Sequence, residues 1–200
     1  MTIMRASEYH KKIGKIWQNY DNCGLYFAWR KILIFIMLAE VIIASILALF
    51  TKDFCREIPM LFGAEKVGLS QSVSVGLSYF VLILLTSIVL TIPHELLHII
   101  TFPGMFRKAA IVISPFAVSA AYDGWQPKKL VLKSLLCPFI ILTLVILFLR
   151  FVLDTPVIMW LLFLNTVLCS SDIFAFFYIR KAVPQNALMY GNYYRCQQNT

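Results

Sequence analysis

Four long runs of apolar residues follow a polar start of the chain. They extend over about residues 32–50, 75–102, 130–153 and 157–179. An apolar run of about 18 residues or more is long enough to cross the hydrocarbon layer of a membrane as a helix. The pattern therefore predicts an all-α membrane protein with about four transmembrane helices. Asp154, Thr155 and Pro156 form a turn signal that predicts a tight hairpin between the last two.

The segments between and around these runs suggest further structure. Residues 1–31 are polar and basic with scattered aromatic residues, which fits either an amphipathic helix at the membrane surface or a loosely ordered cytosolic tail. Residues 109–120 are rich in β-branched residues and too short to span as a helix, so we expect an extended or hairpin segment, or an ordinary interfacial loop. The chain thus divides into segment 1–31, a four-span domain 32–180 and a tail 181–200.

Composition and charge narrow the class of protein. With 60% hydrophobic residues and a mean hydropathy of +0.78, the chain does not resemble a soluble domain. Its net charge of +8 comes from basic residues at the ends of apolar runs, without an aromatic-interleaved basic patch. We therefore expect a lipid bilayer, and no nucleic acid, as partner. Five cysteines without CxxC spacing predict no disulfide framework.

The distribution of lysine and arginine predicts the orientation in the membrane. Fourteen of the 18 lie in the N-terminal segment, in residues 103–133 and in the C-terminal tail, and four lie on the opposite side of the predicted spans. Basic residues concentrate in the cytoplasmic loops of membrane proteins. We therefore expect a multi-pass integral protein, most simply of the cell membrane, with both termini in the cytosol.

An HExxH motif, from His94 to His98, lies inside the second apolar run. Residues four apart lie on one face of a helix, so the two imidazoles can share one zinc ion. Glu95 lies beside that face, where it can act as general base toward a water on the metal. The alternative is a pair of structural histidines between helices, but ionisable side chains at membrane depth are costly and usually functional.

Catalytic zinc usually has three protein ligands and one open position, so the histidines need a third partner. The remaining histidine, His10, lies in the N-terminal segment, which leaves the acidic residues of the apolar runs. At about 1.5 Å per residue, Asp172 lies about 12 Å from the cytosolic end of its helix, in the same layer as the histidines. Glu40 lies at about 14 Å and qualifies too, as a ligand or as a partner of an imidazole N–H. Either acid could instead form a polar contact between helices.

Asn165 lies seven residues before Asp172, two turns away on the same face of the fourth helix. Its amide could bind a substrate carbonyl or stabilise a tetrahedral oxyanion. A hydrogen bond between helices is an equally good interpretation.

These residues together resemble the membrane-embedded zinc peptidases of the site-2 protease kind, in which an aspartate on a later span completes an HExxH site. The chain resembles more closely the small four-span "putative zincin peptidase" family. The resemblance implies zinc bound by His94, His98 and Asp172. In site-2 proteases an extended segment after the HExxH helix can pair with substrate, which implies substrate contacts for Ile111 and Ile113.

The residues and the resemblance together predict a membrane-embedded zinc metalloprotease. Its substrate would be a membrane-associated peptide or a transmembrane segment, cut near the cytosolic face. The rival interpretation is a non-enzymatic membrane protein, such as a transporter, an immunity factor or a degenerate protease, whose histidines bind a metal or a partner. A structural four-helix scaffold is a third possibility.

Overall fold

The computed structural model describes residues 1–18, 69–113, 118–153, 156–191 and 193–196. Four α-helices lie within them: α1 (Ala6–Gln18), α2 (Leu69–Thr101), α3 (Lys128–Val152) and α4 (Pro156–Ala182). The strands described are β1 (Thr2–Arg5), β2 (Ala109–Ile113), β3 (Val118–Tyr122), β4 (Gln126–Pro127), β5 (Ala187–Tyr190) and β6 (Tyr193–Cys196). The first predicted span, 32–50, and the turn residues 154–155 lie outside the described residues.

The three long helices match the last three apolar runs to within a few residues, and α2 and α3 continue through Pro93 and Pro138. In the described part of the chain, two stretches are long and apolar enough to cross a membrane, Lys128–Val152 and Trp160–Ala182, by length and composition alone. A shorter apolar stretch covers Leu85–Thr101. A mostly helical protein is therefore confirmed, and four transmembrane helices stay a prediction.

A buried lysine joins the beginning of α3 to the end of α4. Lys128 is 5% exposed, and its Nζ donates hydrogen bonds to the carbonyl oxygens of Arg180 at 2.9 Å and Val183 at 2.6 Å. The last carbonyls of a helix lack partners within the helix and carry partial negative charge, so a buried ammonium group satisfies them. This contact fixes the end of the helix that carries Asp172.

The first sheet has the strand order β1-β2-β3, with β1 parallel and β3 antiparallel to β2. Asp123 N donates to Lys108 O at 2.7 Å, just beyond the paired residues Tyr122 and Ala109. Since hydrogen-bonded pairs alternate along an antiparallel ladder, the Ala120 N–H points away from β2. The free edge of β3 therefore faces α2, against which this strand packs.

The two faces of this sheet contact different parts of the chain. On one face, Ala109 and Tyr122 pack against Ile99 and Phe102 at the end of α2. The other face buries Val112 in a cluster that also contains residues of α1 and of β5, namely Tyr9, Ile13 and Tyr190. Successive strand residues point to opposite faces, so each strand contributes to both contacts. The sheet thus connects the HExxH helix to both ends of the chain.

The second sheet has the order β4-β5-β6, and both pairs are antiparallel. We call α1 and the six strands the cap, since they lie where α2 ends, α3 begins and α4 ends. The predicted all-α class with one short extended or hairpin segment was too narrow, because it contained neither β1 nor this second sheet. The extended segment predicted after the HExxH helix is confirmed as the antiparallel pair of β2 and β3. Residues 6–18 of the N-terminal segment form a helix.

Candidate metal centre

Three polar side chains meet inside the helical part of the molecule. The Asp172 Oδ2 atom lies 3.0 Å from His94 Nε2 and 3.1 Å from His98 Nε2, and the two Nε2 atoms are 3.2 Å apart. His94 and His98 are 5% and 7% exposed. The histidines come from successive turns of α2 and the aspartate from α4, so the packing of these two helices forms the cluster.

The triangle of donor atoms suits a zinc ion. With metal–ligand bonds of about 2.0–2.1 Å, tetrahedral zinc separates its ligand atoms by about 3.3 Å. The observed separations of 3.0–3.2 Å are close to that edge length. Two imidazoles and one carboxylate form a donor set found in catalytic zinc sites. The three residues fit one face of a tetrahedron, which leaves the fourth position for a water or substrate.

Glu95 lies next to this triangle and contacts the cap. The potential ligand atoms of His94, Glu95 and His98 all lie within 4.8 Å of one another. Glu95 Oε2 also accepts a hydrogen bond from the Ala120 N–H of β3, on the edge that faces away from β2. The carboxylate is therefore held by a backbone amide, close enough to the donor triangle to exchange a proton with a water there.

The Nδ1 atoms of both histidines have partners on neighbouring helices. His98 Nδ1 lies 3.2 Å from Ser134 Oγ on α3, and His94 Nδ1 lies 3.5 Å from Cys169 Sγ on α4. A histidine that binds a metal through one nitrogen usually donates its other N–H to a nearby acceptor. Both imidazoles thus have Nε2 toward the triangle and Nδ1 toward a possible acceptor.

Comparison with known proteins gives a family. The sequence pattern of the family described as "Putative zincin peptidase" matches residues 87–188, which contain both histidines and the aspartate. The chain belongs to this family. No curated protein and no solved structure matches the chain. As a member of the zincin peptidase family with a His-Glu-His group in place, the chain has the features of a metallopeptidase.

The other predicted site residues lie in three different places. Asn165 is fully buried and donates through Nδ2 to Thr143 Oγ1 at 3.1 Å, which is a hydrogen bond between α4 and α3. Ile111 and Ile113 lie in β2, whose two edges pair with β1 and β3, so β2 has no edge for an added strand. Substrate binding by these three residues stays a prediction. Glu40 lies outside the described residues.

Sequence reasoning missed three residues that contact the histidines or Glu95, namely Ser134, Ala120 and Cys169. Ser134 and Ala120 gave no signal, because each reaches the site only through the packing of a distant segment. Cys169 did give one: it lies four residues after Asn165 and three before Asp172, a spacing that puts all three near one face of α4. Ser134 and Cys169 are hydrogen-bond partners of the two histidines, and Ala120 is the partner of Glu95.

Proposed function

We propose that this protein is a membrane-embedded zinc endopeptidase that cuts a membrane-associated peptide or a transmembrane segment near the cytosolic face. The observation that carries this proposal is the buried triangle of His94, His98 and Asp172, with the Glu95 carboxylate beside it. Two histidines packed for structural reasons would not need a carboxylate between their Nε2 atoms and a second carboxylate next to them.

Each of the four residues has a role in the proposed reaction. His94, His98 and Asp172 would hold zinc, which when bound supplies a Lewis acid that acidifies a water and polarises the scissile carbonyl. Glu95 takes a proton from the attacking water and returns it to the leaving amine. The Ala120 amide orients the Glu95 carboxylate for both transfers. Burial of the histidines limits the access of bulk water to the site.

Two features support a location in the membrane. Most residues in the apolar stretches of α3 and α4 are not buried. Large apolar side chains such as Phe148 and Phe177 are 67% and 61% exposed. Apolar surface of this extent on a helix normally faces lipid or another protein. The cap also contains described parts of the three basic regions, which are the N-terminal segment, residues 103–133 and the C-terminal tail, and it lies at one end of the helices. We therefore propose that the cap faces the cytosol.

The outer edge of β3 is the best place for an extended substrate. Its backbone groups at Val118, Ala120 and Tyr122 point away from β2, and the Ala120 amide lies beside the proposed general base. A peptide added to this edge would form main-chain hydrogen bonds with Val118 and Tyr122, since the Ala120 amide already donates to Glu95, and would bring a scissile carbonyl toward the proposed zinc ligands. A helical substrate would first have to unwind, since its carbonyl groups are occupied by hydrogen bonds within the helix.

Metal analysis tests the proposal at its base. Detergent-purified protein should contain about one zinc per chain by mass spectrometry. His98→Ala and Asp172→Ala should lose it, whereas His10→Ala, the matched change of a histidine outside the triangle, should keep it. Glu40→Ala should also keep its zinc. Loss of zinc from this variant would identify Glu40, in the first predicted span, as the third ligand. Absence of zinc from wild-type protein, even after loading, would refute the proposal.

A further inference from the structure

A chain of hydrogen bonds extends from His94 into the contact between α4 and α3. His94 Nδ1 lies 3.5 Å from Cys169 Sγ, Cys169 Sγ donates to Asn165 Oδ1 at 3.6 Å, and Asn165 Nδ2 donates to Thr143 Oγ1 at 3.1 Å. Cys169 and Asn165 are both 0% exposed. No water is needed to connect these four groups, and His94 is the one of them that belongs to the donor triangle.

The amide group of Asn165 gives this chain a single direction. Its Nδ2 donates to Thr143, and its Oδ1 is an acceptor only, so the proton between Asn165 and Cys169 belongs to the thiol. A thiol that donates in this direction is neutral and offers its sulfur lone pairs to His94. The proton between Cys169 and His94 therefore belongs to Nδ1.

The position of that proton decides what His94 can do. A neutral imidazole with its proton on Nδ1 has its free lone pair on Nε2. His94 Nε2 is the atom that faces Asp172 and His98 in the triangle. The opposite tautomer would direct an N–H into the position of the metal. The hydrogen-bond chain therefore holds His94 in the one neutral form that can bind a metal there.

We propose that Asn165 and Cys169 are positioning residues that fix the tautomer and ring orientation of His94. The inference rests on the proposed function in that the zinc site is what the tautomer serves. Asn165 then acts on His94 through Cys169 and does not contact the metal. Cys169 is a hydrogen-bond partner of the proposed ligand His94 and is not itself a ligand. The geometry agrees, because Cys169 contacts Nδ1, whereas the triangle contains Nε2.

His98 offers an internal contrast. Its Nδ1 partner is the Ser134 hydroxyl, which can either donate or accept a hydrogen bond. Ser134 therefore satisfies whichever tautomer is present and does not select between them. The Asp172 carboxylate lies 3.0 Å from His94 Nε2 and 3.1 Å from His98 Nε2 and can accept from an Nε2–H of either ring, so the contrast between the two histidines comes from their Nδ1 partners. The two zinc-facing imidazoles should differ in this respect before any metal binds.

Nitrogen NMR of metal-free, ¹⁵N-histidine-labelled protein measures the tautomer directly, and the chain has only three histidines to assign. Wild-type His94 should be the Nδ1–H form. Cys169→Val removes the acceptor and should give His94 a mixture of tautomers, whereas Cys169→Ser keeps an acceptor and a donor and should restore the wild-type signal. Cys137→Val makes the same change on α3, outside this chain of hydrogen bonds, and should leave the His94 signal unchanged.

Zinc affinity, measured by competition with a chelator, provides the second measurement. Loss of such a partner typically weakens metal binding by about 10- to 100-fold, so we expect that loss for Cys169→Val and a change of less than about threefold for Cys169→Ser. Cys169→Ala replaces the valine variant if that variant does not fold. An unchanged His94 tautomer and unchanged zinc affinity in both acceptor-free variants would overturn the inference. If wild-type protein bound no zinc, the proposed function would fail, and the tautomer in metal-free protein would still decide this inference.

Discussion

The candidate metal centre and the cap are built in different ways. In the candidate metal centre, the two histidine side chains of α2 lie one turn apart, and the packing of α4 on α2 adds Asp172. In the cap, β1 pairs with a strand more than 100 residues away, and β4 pairs with a strand about 60 residues further along the chain. Local helix geometry therefore sets most of the site chemistry, whereas long-range pairing sets the surface from which a substrate would approach.

A hydrogen bond joins the two regions, since the Ala120 N–H of β3 donates to Glu95 Oε2 on α2. The candidate ligand atoms come from the helices, and the group that orients the proposed base comes from the sheet. Variants of the two regions should therefore separate zinc binding, which depends on the helices, from turnover, which depends on both.

Glu95→Gln should have the largest effect. The amide cannot accept the proton of the attacking water, and loss of a general base typically costs 10²- to 10⁴-fold in rate, so we expect a loss of about 1,000-fold or more. Zinc content should stay at the wild-type level, because Glu95 is not one of the three proposed ligands. The assay compares cleavage of a panel of membrane-tethered reporter peptides in detergent or liposomes. Equal cleavage by both proteins would remove Glu95 from the mechanism, and cleavage by neither would favour the binding-protein rival.

Ala120→Pro tests the hydrogen bond where the regions meet. Proline lacks the N–H that Glu95 accepts, and proline is tolerated on a strand edge that donates no ladder hydrogen bond. We expect turnover to fall by about 10- to 100-fold, from the loss of one charge-assisted hydrogen bond worth about 1.5–3 kcal/mol, with zinc binding retained. Ser119→Pro is the contrasting variant, since its N–H points toward β2 and its loss should disrupt the sheet. Similar effects of both changes on folding would contradict the assigned direction of the Ala120 amide.

These two variants show what the sequence can and cannot predict. The HExxH spacing and the depth of Asp172 along its helix follow from the helical repeat, so the sequence predicted that these three residues could meet, with Glu40 left as an alternative at similar depth. Ala120 could not be predicted, because its contact with Glu95 depends on which amides of β3 point away from β2. The register of a short hairpin and the parallel pairing of β1 leave no comparable periodic signal in the sequence.

Asp123 holds the cap together, and its effect should depend on pH. Its carboxylate accepts hydrogen bonds from Lys12 Nζ at 2.5 Å and from the Tyr190 hydroxyl. Partial burial would raise the pKa of Asp123, but these two donors together hold it below its ordinary value. A lowered pKa means that the carboxylate stabilises the cap fully above the unfolded-state pKa of about 3.9, and that this contribution is lost as the pH falls through the folded-state value.

Asp123→Asn should therefore lower the free energy of unfolding of the cap by about 1 kcal/mol at pH 7, since Lys12 is partly exposed and solvent weakens the pair. The difference from wild type should be constant from pH 5 to 8 and should shrink as the pH falls below about 4, because the unfolded chain then binds the proton more readily than the folded one. Denaturation followed by tryptophan fluorescence suits this test, because Trp125 packs against Tyr190. A difference that persists undiminished at pH 3 would mean that the charge of Asp123 is not what stabilises the cap.

The smallest expected effect concerns two glycines. It tests whether α1 packs against the turn between β5 and β6. Gly191, between β5 and β6, has φ +55°, and Gly104, after α2, has φ +77°. Alanine at either position should cost about 1 kcal/mol, because side chains disfavour left-handed backbone. A Cβ at Gly104 would meet nothing within 4 Å, whereas one at Gly191 would lie 2.7 Å from Ile13 Cδ1 of α1.

Gly191→Ala should therefore cost more than Gly104→Ala, by less than about 1 kcal/mol, since the tip of an isoleucine side chain can rotate away. Ile13→Val removes the Cδ1 atom, so the alanine substitution should cost about 1 kcal/mol again when it is made in that background. A double-mutant cycle on the unfolding free energy measures this coupling. Zero coupling would mean that the Ile13 side chain does not lie against the β5–β6 turn.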